Sequence, residues 1–163
     1  MIGSALLVLL SAAPFVDPSS LAEIEPSPSG AAALRALDAK ASVNESSGRV
    51  SLWKLSGGNS VQVLAALEAK LPGHFAAVFH DEPNPASKLR VPAGGVVVWL
   101  DANTNPERWA LERAVVVKQS FGDGVLLLQS APGAASLALA AALRTDKRVK
   151  SVMPNWWLRA VRR

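Results

Sequence analysis

The sequence predicts an α+β chain, and three observations carry that prediction. Apolar runs of strand length stand at 95–101, 114–120, 124–130 and 148–154; Ala/Leu segments with helical spacing lie between them; Pro- and Gly-rich breaks separate the two kinds. In order these segments read strand, helix, strand, strand, helix, strand. The 163 residues are enough for one domain or two very small ones. Half of them are hydrophobic, with the excess in Ala, Val and Leu, which places the chain far from the disordered class.

Composition also removes whole classes of chemistry. There is no cysteine, so disulfide frameworks, thiolate zinc sites and cysteine nucleophiles are excluded. Two histidines, His74 and His80, are too few for most metal sites unless carboxylates complete the set. No cofactor or metal is expected. The net charge of +4 is modest but uneven: the first 34 residues hold no Lys or Arg, whereas Arg144, Lys147, Arg148, Lys150, Arg159, Arg162 and Arg163 crowd the end.

Taken in order, the N-terminal run IGSALLVLLSAA is too short for a membrane span of about 20 residues and suits the core of a secretory signal peptide. Residues 1–22 are read that way, with Ser20-Leu21-Ala22 as a cleavage site; this implies a secreted or periplasmic protein. The alternative is an apolar N-terminal helix and a cytoplasmic protein. Residues 23–47 follow as a partly disordered linker, because DPSSLAEIEPSPSG is rich in Ser and Pro, with one short helix at 31–41. A β-α-β subdomain is expected over 48–92: RVSLWKL alternates as a strand, VQVLAALEAKL has helical spacing, Pro72-Gly73 stops it, and FAAVFHD reads as a second strand. The prolines of EPNPASKLRVPAG predict an irregular loop.

The second set, 93–155, begins with the buried strand GVVVWLD. Asn105 before Pro106 caps a short helix through RWALER; AVVVKQS and GVLLLQS form a hairpin across Phe121-Gly122-Asp123; ASLALAAALRTD is a helix; RVKSVMP is a last strand closed by proline. This is the split βαβ, or ferredoxin-like, order, with two helices on one face of an antiparallel sheet and the other face open. The open face is a docking surface unless the first half of the chain closes it. Residues 156–163 remain as a tail. VSLWKL…VLAALEAKLPGHFAAVFHD also parallels VLLLQS…LAAALRTDKRVKSVMPN in element order, an internal repeat in which Phe75, Val78, Phe79 and Asp81 correspond to Val149, Val152, Met153 and Asn155.

These residues carry a family likeness. LALAAALRTDKRVKSVMPNWW resembles the end of the N-terminal prodomain of bacterial subtilisin-family serine proteases, where a helix of the pattern a-L-A-x-x-L-x-x-D-x-x-V leads into a strand closing on Pro-Asn. Leu137, Ala141, Leu143, Asp146, Val149, Val152, Pro154 and Asn155 occupy the pattern, and the likeness covers 48–158. The Asp, His and Ser segments of the protease are not within these residues. The resemblance therefore implies a free-standing prodomain acting in trans on a subtilisin-like serine protease as an inhibitor, a folding helper, or both. It implies docking by the open sheet face, with Pro154, Asn155, Trp156, Trp157, Leu158, Arg159 and Arg163 forming the tail that lies in the substrate cleft by strand addition.

Each candidate has a structural counterpart. Trp156 and Trp157 either bind a partner or fold back on the core. Arg159, Arg162 and Arg163 read as a solvated end, and Trp53, Trp99 and Trp109 as core. His80-Asp81-Glu82 reads as a strand end, since adjacent ligands chelate poorly together. Asp101 and Glu107 are explained by turn and helix-start chemistry. Serines 51, 56, 60 and 136 lack a nucleophile elbow, and Gly57-Gly58 and Gly94-Gly95 are too short for a phosphate loop. No catalytic constellation emerges and no small-molecule substrate is expected. The alternatives are a non-catalytic module binding nucleic acid or another protein, nucleic acid being disfavoured for want of an RNP signature, or a relic of a protease precursor.

Overall fold

A computed structural model describes residues 15–84 and 87–159 of the chain. Among these residues eight strands and four helices follow one another: β1 (Phe15–Ile24), α1 (Pro28–Leu37), β2 (Ser42–Ser47), β3 (Val50–Lys54), α2 (Ser60–Lys70), β4 (Phe75–His80), β5 (Leu89–Leu100), α3 (Pro106–Glu112), β6 (Val117–Gly122), β7 (Val125–Leu128), α4 (Ala134–Leu143) and β8 (Val149–Leu158). The strands form one antiparallel sheet in the order β2-β3-β1-β4-β5-β7-β6, with β8 on β5.

The order resolves into two halves of equal connectivity. β1-α1-β2-β3-α2-β4 has the sheet order 2-3-1-4, and β5-α3-β6-β7-α4-β8 has β6-β7-β5-β8, the same path one unit later. The expected internal repeat, β3-α2-β4 against β7-α4-β8, falls on corresponding elements of these halves. The expected linker at 23–47 does not exist as such: the end of β1, α1 and β2 occupy it. Its Ser and Pro are helix-start chemistry, since Ser27 caps α1 by accepting the Gly30 N–H and Pro28 takes the first helical position. The proposed signal peptide lies outside the described residues over 1–14, and residues 15–22 belong to β1.

Alternation along the strands sorts the core. In the first half Leu21, Trp53, Leu55 and Phe75 face the helices and meet Leu34, Val63 and Leu67. In the second, Val96, Val98, Leu100, Leu126, Leu128 and Val152 meet Trp109, Ala110, Ala140 and Leu143.

The joint is β5, longer than expected. The loop predicted for 82–94 ends early because Leu89–Pro92 pair within the sheet, with β4 on one edge and β8 on the other. Pro92 is tolerated because the ladder with β8 slips between Pro92 and Val96, where Gly94 and Gly95 take φ of 107° and 92°. A Cβ on Gly95 would stand 3.1 Å from Leu127 Cδ1 and 3.2 Å from the Leu128 carbonyl. This pair of glycines is a kink in a strand, and it sends the two ends of β5 to different halves.

Candidate functional site

The helix-free faces of the two halves have opposite fates. In the first half Ala22, Ile24, Val50, Leu52, Ala76 and Val78 are covered by Leu89, Val91 and Ala93 of β5, with Trp157 of β8 packed alongside. In the second half the residues alternating with the core are uncovered. Val97, Trp99, Val125 and Leu127 are half-buried, and Met153 beside them is 41% exposed. The ladders align Val97 with Leu127 and Met153, and Trp99 with Val125 and Ser151, so these side chains form one contiguous apolar face across β7, β5 and β8. Trp53 and Trp109 are core residues; Trp99 corrects the expectation, since its position in the alternation turns it away from the helices.

The end of β8 corrects the expectation of a free tail. The strand continues through Pro154 to Leu158, pairing Pro154 with Val96, Trp156 with Pro92, Trp157 with Val91 and Leu158 with Arg90. Among the described residues β8 pairs with β5 alone, and an edge strand tolerates a proline. Pro154 is buried, and Asn155 donates to the Gly94 carbonyl at 3.3 Å. Trp156 meets Phe79 edge-on at 5.6 Å between centroids. Leu158 is 46% exposed, and Arg159 pairs with Glu45 of β2 at 2.8 Å. The sheet thus curls until its two distant members, β2 and β8, touch. Arg163 lies outside the described residues.

Electrostatics divides along the same line. Residues 87–163 carry twelve Lys and Arg against five Asp and Glu; residues 1–86 carry five against eight. Part of the basic excess is internally engaged. Asp146, the aspartate of the helix-to-strand pattern, accepts from Trp109 Nε1 at 2.9 Å, Arg113 Nε at 2.7 Å and the Arg148 backbone at 2.9 Å. Burial pushes this carboxyl up, and the hydrogen bonds from Arg148, Trp109 and Arg113 more than reverse it, leaving Asp146 well below the usual carboxylate range. Lys118 of β6 lines a small pocket together with Gly95, Leu127 and Asn155.

Two clusters escaped sequence reading. Buried Glu23 accepts from Trp53 Nε1 at 3.1 Å, bonds His74 Nε2 at 2.8 Å and receives the Ser27 N–H at 3.1 Å. Gly30 lets α1 approach this cluster, since a Cβ there would overlap the Glu23 carboxylate and the His74 ring. Ser27 Oγ also lies 3.4 Å from His74 Nε2, the nitrogen already bonded to Glu23. A serine relay needs the acid and the serine on opposite ring nitrogens, so this set is an anchor for β1, α1 and β4 and not an activated nucleophile. His80 Nε2 meets Asp17 at 2.7 Å, tying β4 to an excursion of β1. Burial raises the Asp17 carboxyl, but hydrogen bonds from His80, Ser19 and Ser20 bring it below its ordinary value. These partners lie 51 and 63 residues apart, so only the pairing of β1 with β4 makes them neighbours.

Among the described residues no group of three or more His, Asp and Glu side chains is placed to hold a metal ion, and no helix is long and apolar enough to cross a membrane. Asp101 and Glu107 are exposed. Comparison of the chain with protein-family models, with curated proteins and with solved structures returns no match.

Proposed function

We propose that this chain is an inhibitor, and a folding helper in trans, of a subtilisin-like serine protease, and that it docks by the helix-free face of its second half. The observation that carries the reading is the uncovered apolar face of Val97, Trp99, Val125, Leu127 and Met153 on a β-α-β-β-α-β unit with strand order β8-β5-β7-β6. That order, with both helices on the opposite face, supports the ferredoxin-like reading. The prodomain-like pattern ending in Pro154-Asn155 lies on α4 and β8, and β8 runs straight from the open face into Trp156-Trp157-Leu158. A sheet face of this kind together with an aromatic strand end is enough for an interface of standard size, about 1,600 Å² in all. The positive excess of the second half favours an enzyme surface that is acidic around its cleft. Side chains of the tail fill pockets while its backbone adds to the enzyme as a strand, so inhibition needs no chemistry from this chain.

The test is competitive inhibition of a subtilisin hydrolysing a chromogenic peptide, using the full chain and a variant ending at Asn155. The reading expects the full chain to inhibit and the shortened one to lose at least 100-fold in affinity while its core circular dichroism persists. Absence of inhibition by the folded protein, both as the unaltered chain and as a variant whose tail is released, overturns it.

A second reading, a nucleic-acid-binding module, draws on one observation: Trp99 stands half-buried on the central strand of the open face, a position from which a base could stack. Salt-dependent binding of single-stranded RNA that disappears in Trp99→Ala would favour it over the inhibitor.

A further inference from the structure

The helix-free face of the first half is covered by Leu89, Val91 and Ala93 of β5, and the chain's own tail is paired to that stretch of β5 with Trp157 packed against the same apolar layer. Resting on the inhibitor reading, we infer that the first half is an internal competitor for Trp156–Leu158, and that the Arg159–Glu45 ion pair latches the tail in its withheld state.

Four contacts make the hold. Backbone pairing with Arg90, Val91 and Pro92 uses one edge of the segment. Trp157 packs against the apolar layer of Ala22, Val50, Val78 and Val91. Trp156 rests edge-on against Phe79. Beyond them Arg159 crosses to Glu45 on β2, the strand at the far end of the sheet path. The other rim of the same seam is fastened too, because Arg49 in the β2–β3 turn donates to the Ala93 carbonyl at 3.0 Å. A segment with one backbone edge and both indoles engaged by its own chain cannot lie enclosed in a protease cleft. Binding there requires release from β5, and the protease captures only the released fraction of molecules. The duplicated architecture supplies the means: one half leaves its helix-free face open, and the other, its face covered by β5, holds the tail beside that layer. The Arg159–Glu45 pair is the one contact of the four that can be undone without touching core or tail, since each side chain is about two-fifths exposed, at 40% and 37%.

The experiment uses the full chain and its Glu45→Gln, Glu45→Lys and Glu45→Asp variants. Two quantities are read on each: amide hydrogen exchange at 156–158, and the inhibition constant against a subtilisin. An exposed ion pair is worth about a 2- to 5-fold population change. The inference expects exchange at 156–158 to quicken and inhibition to tighten by about that factor in Glu45→Gln, by more in Glu45→Lys, and by little or nothing in Glu45→Asp. If the unaltered chain inhibits and the Gln and Lys variants inhibit no better, or if exchange does not quicken in them, the latch is overturned while the inhibitor reading stands. If the unaltered chain is inert but Glu45→Lys inhibits, both are supported, the hold being the stronger for it. If no variant inhibits although exchange shows the tail released, the inhibitor reading falls and takes the regulatory step with it.

Discussion

Trp157 stands opposite Val91 in the ladder between β8 and β5, so the residue best suited to anchor a partner is built into the molecule's own sheet. The segment is structural, and under the proposed inhibitor reading it has to leave β5 before a partner can take it. Replacing Trp157 with Ala is expected to cost about 2 kcal/mol of stability, below the value for a fully buried tryptophan because the ring is only partly covered. Urea unfolding measures this, and a cost below about 0.5 kcal/mol would mean that the tail is not held as described.

Met153 offers the complementary test of the open face. It is exposed and lies beside Val97, so Met153→Glu should change stability by no more than about 0.5 kcal/mol. The same substitution puts a charge into the centre of the proposed interface and should weaken protease inhibition at least tenfold. Paired denaturation and inhibition assays separate the effects; unchanged inhibition would move the docking surface elsewhere.

Asp146 governs acid stability in the second half. Its folded-state carboxyl titrates below the unfolded value of about 3.9, so its contribution is fully present above that pH and disappears as the pH falls through the depressed folded value. Asp146→Asn places an amide N–H₂ among the donors of Trp109, Arg113 and Arg148 and should destabilise the protein by about 3 kcal/mol at pH 7. Stability of the variant should then fall less steeply than that of the parent between pH 4 and 2. Equal slopes in a pH series of urea titrations would deny the carboxylate this role.

β1 is paired on both sides, with β3 through Ser20–Ile24 and with β4 at Leu21–Glu23, and it supplies buried Leu21, Ala22 and Glu23. Removing residues 1–22, as cleavage after Ala22 would, takes out the centre of the first half. A protein starting at Glu23 is expected to lose amide protection in β3 and β4. Full protection there would show that the first half holds without that strand.

Much of the second half was legible in the sequence because its signals are local. The hairpin at Phe121-Gly122-Asp123-Gly124, the Asn105-Pro106 helix start, and the Leu and Val spacing of α4 and the strands each lie within a few residues of what they specify. Even the shared strand-helix-strand order of the two halves could be read, since it needs only element types in sequence. The first half was harder. PSPSG looks like a linker by composition, and it becomes α1 because Gly30 fits against Glu23 and His74, a contact that exists only once β1 and β4 are paired.

By itself, then, the sequence determined the α+β class, the absence of thiol chemistry, the order of the second-half elements and the helix-to-strand pattern around Asp146 and Pro154-Asn155. The tertiary structure alone decided which sheet face is open, where Trp99 points and where the tail lies. Those choices turn on the kink at Gly94-Gly95 and on contacts such as Arg159 with Glu45, 114 positions earlier, and a pattern with a period of two or 3.6 residues cannot encode a partner at that distance.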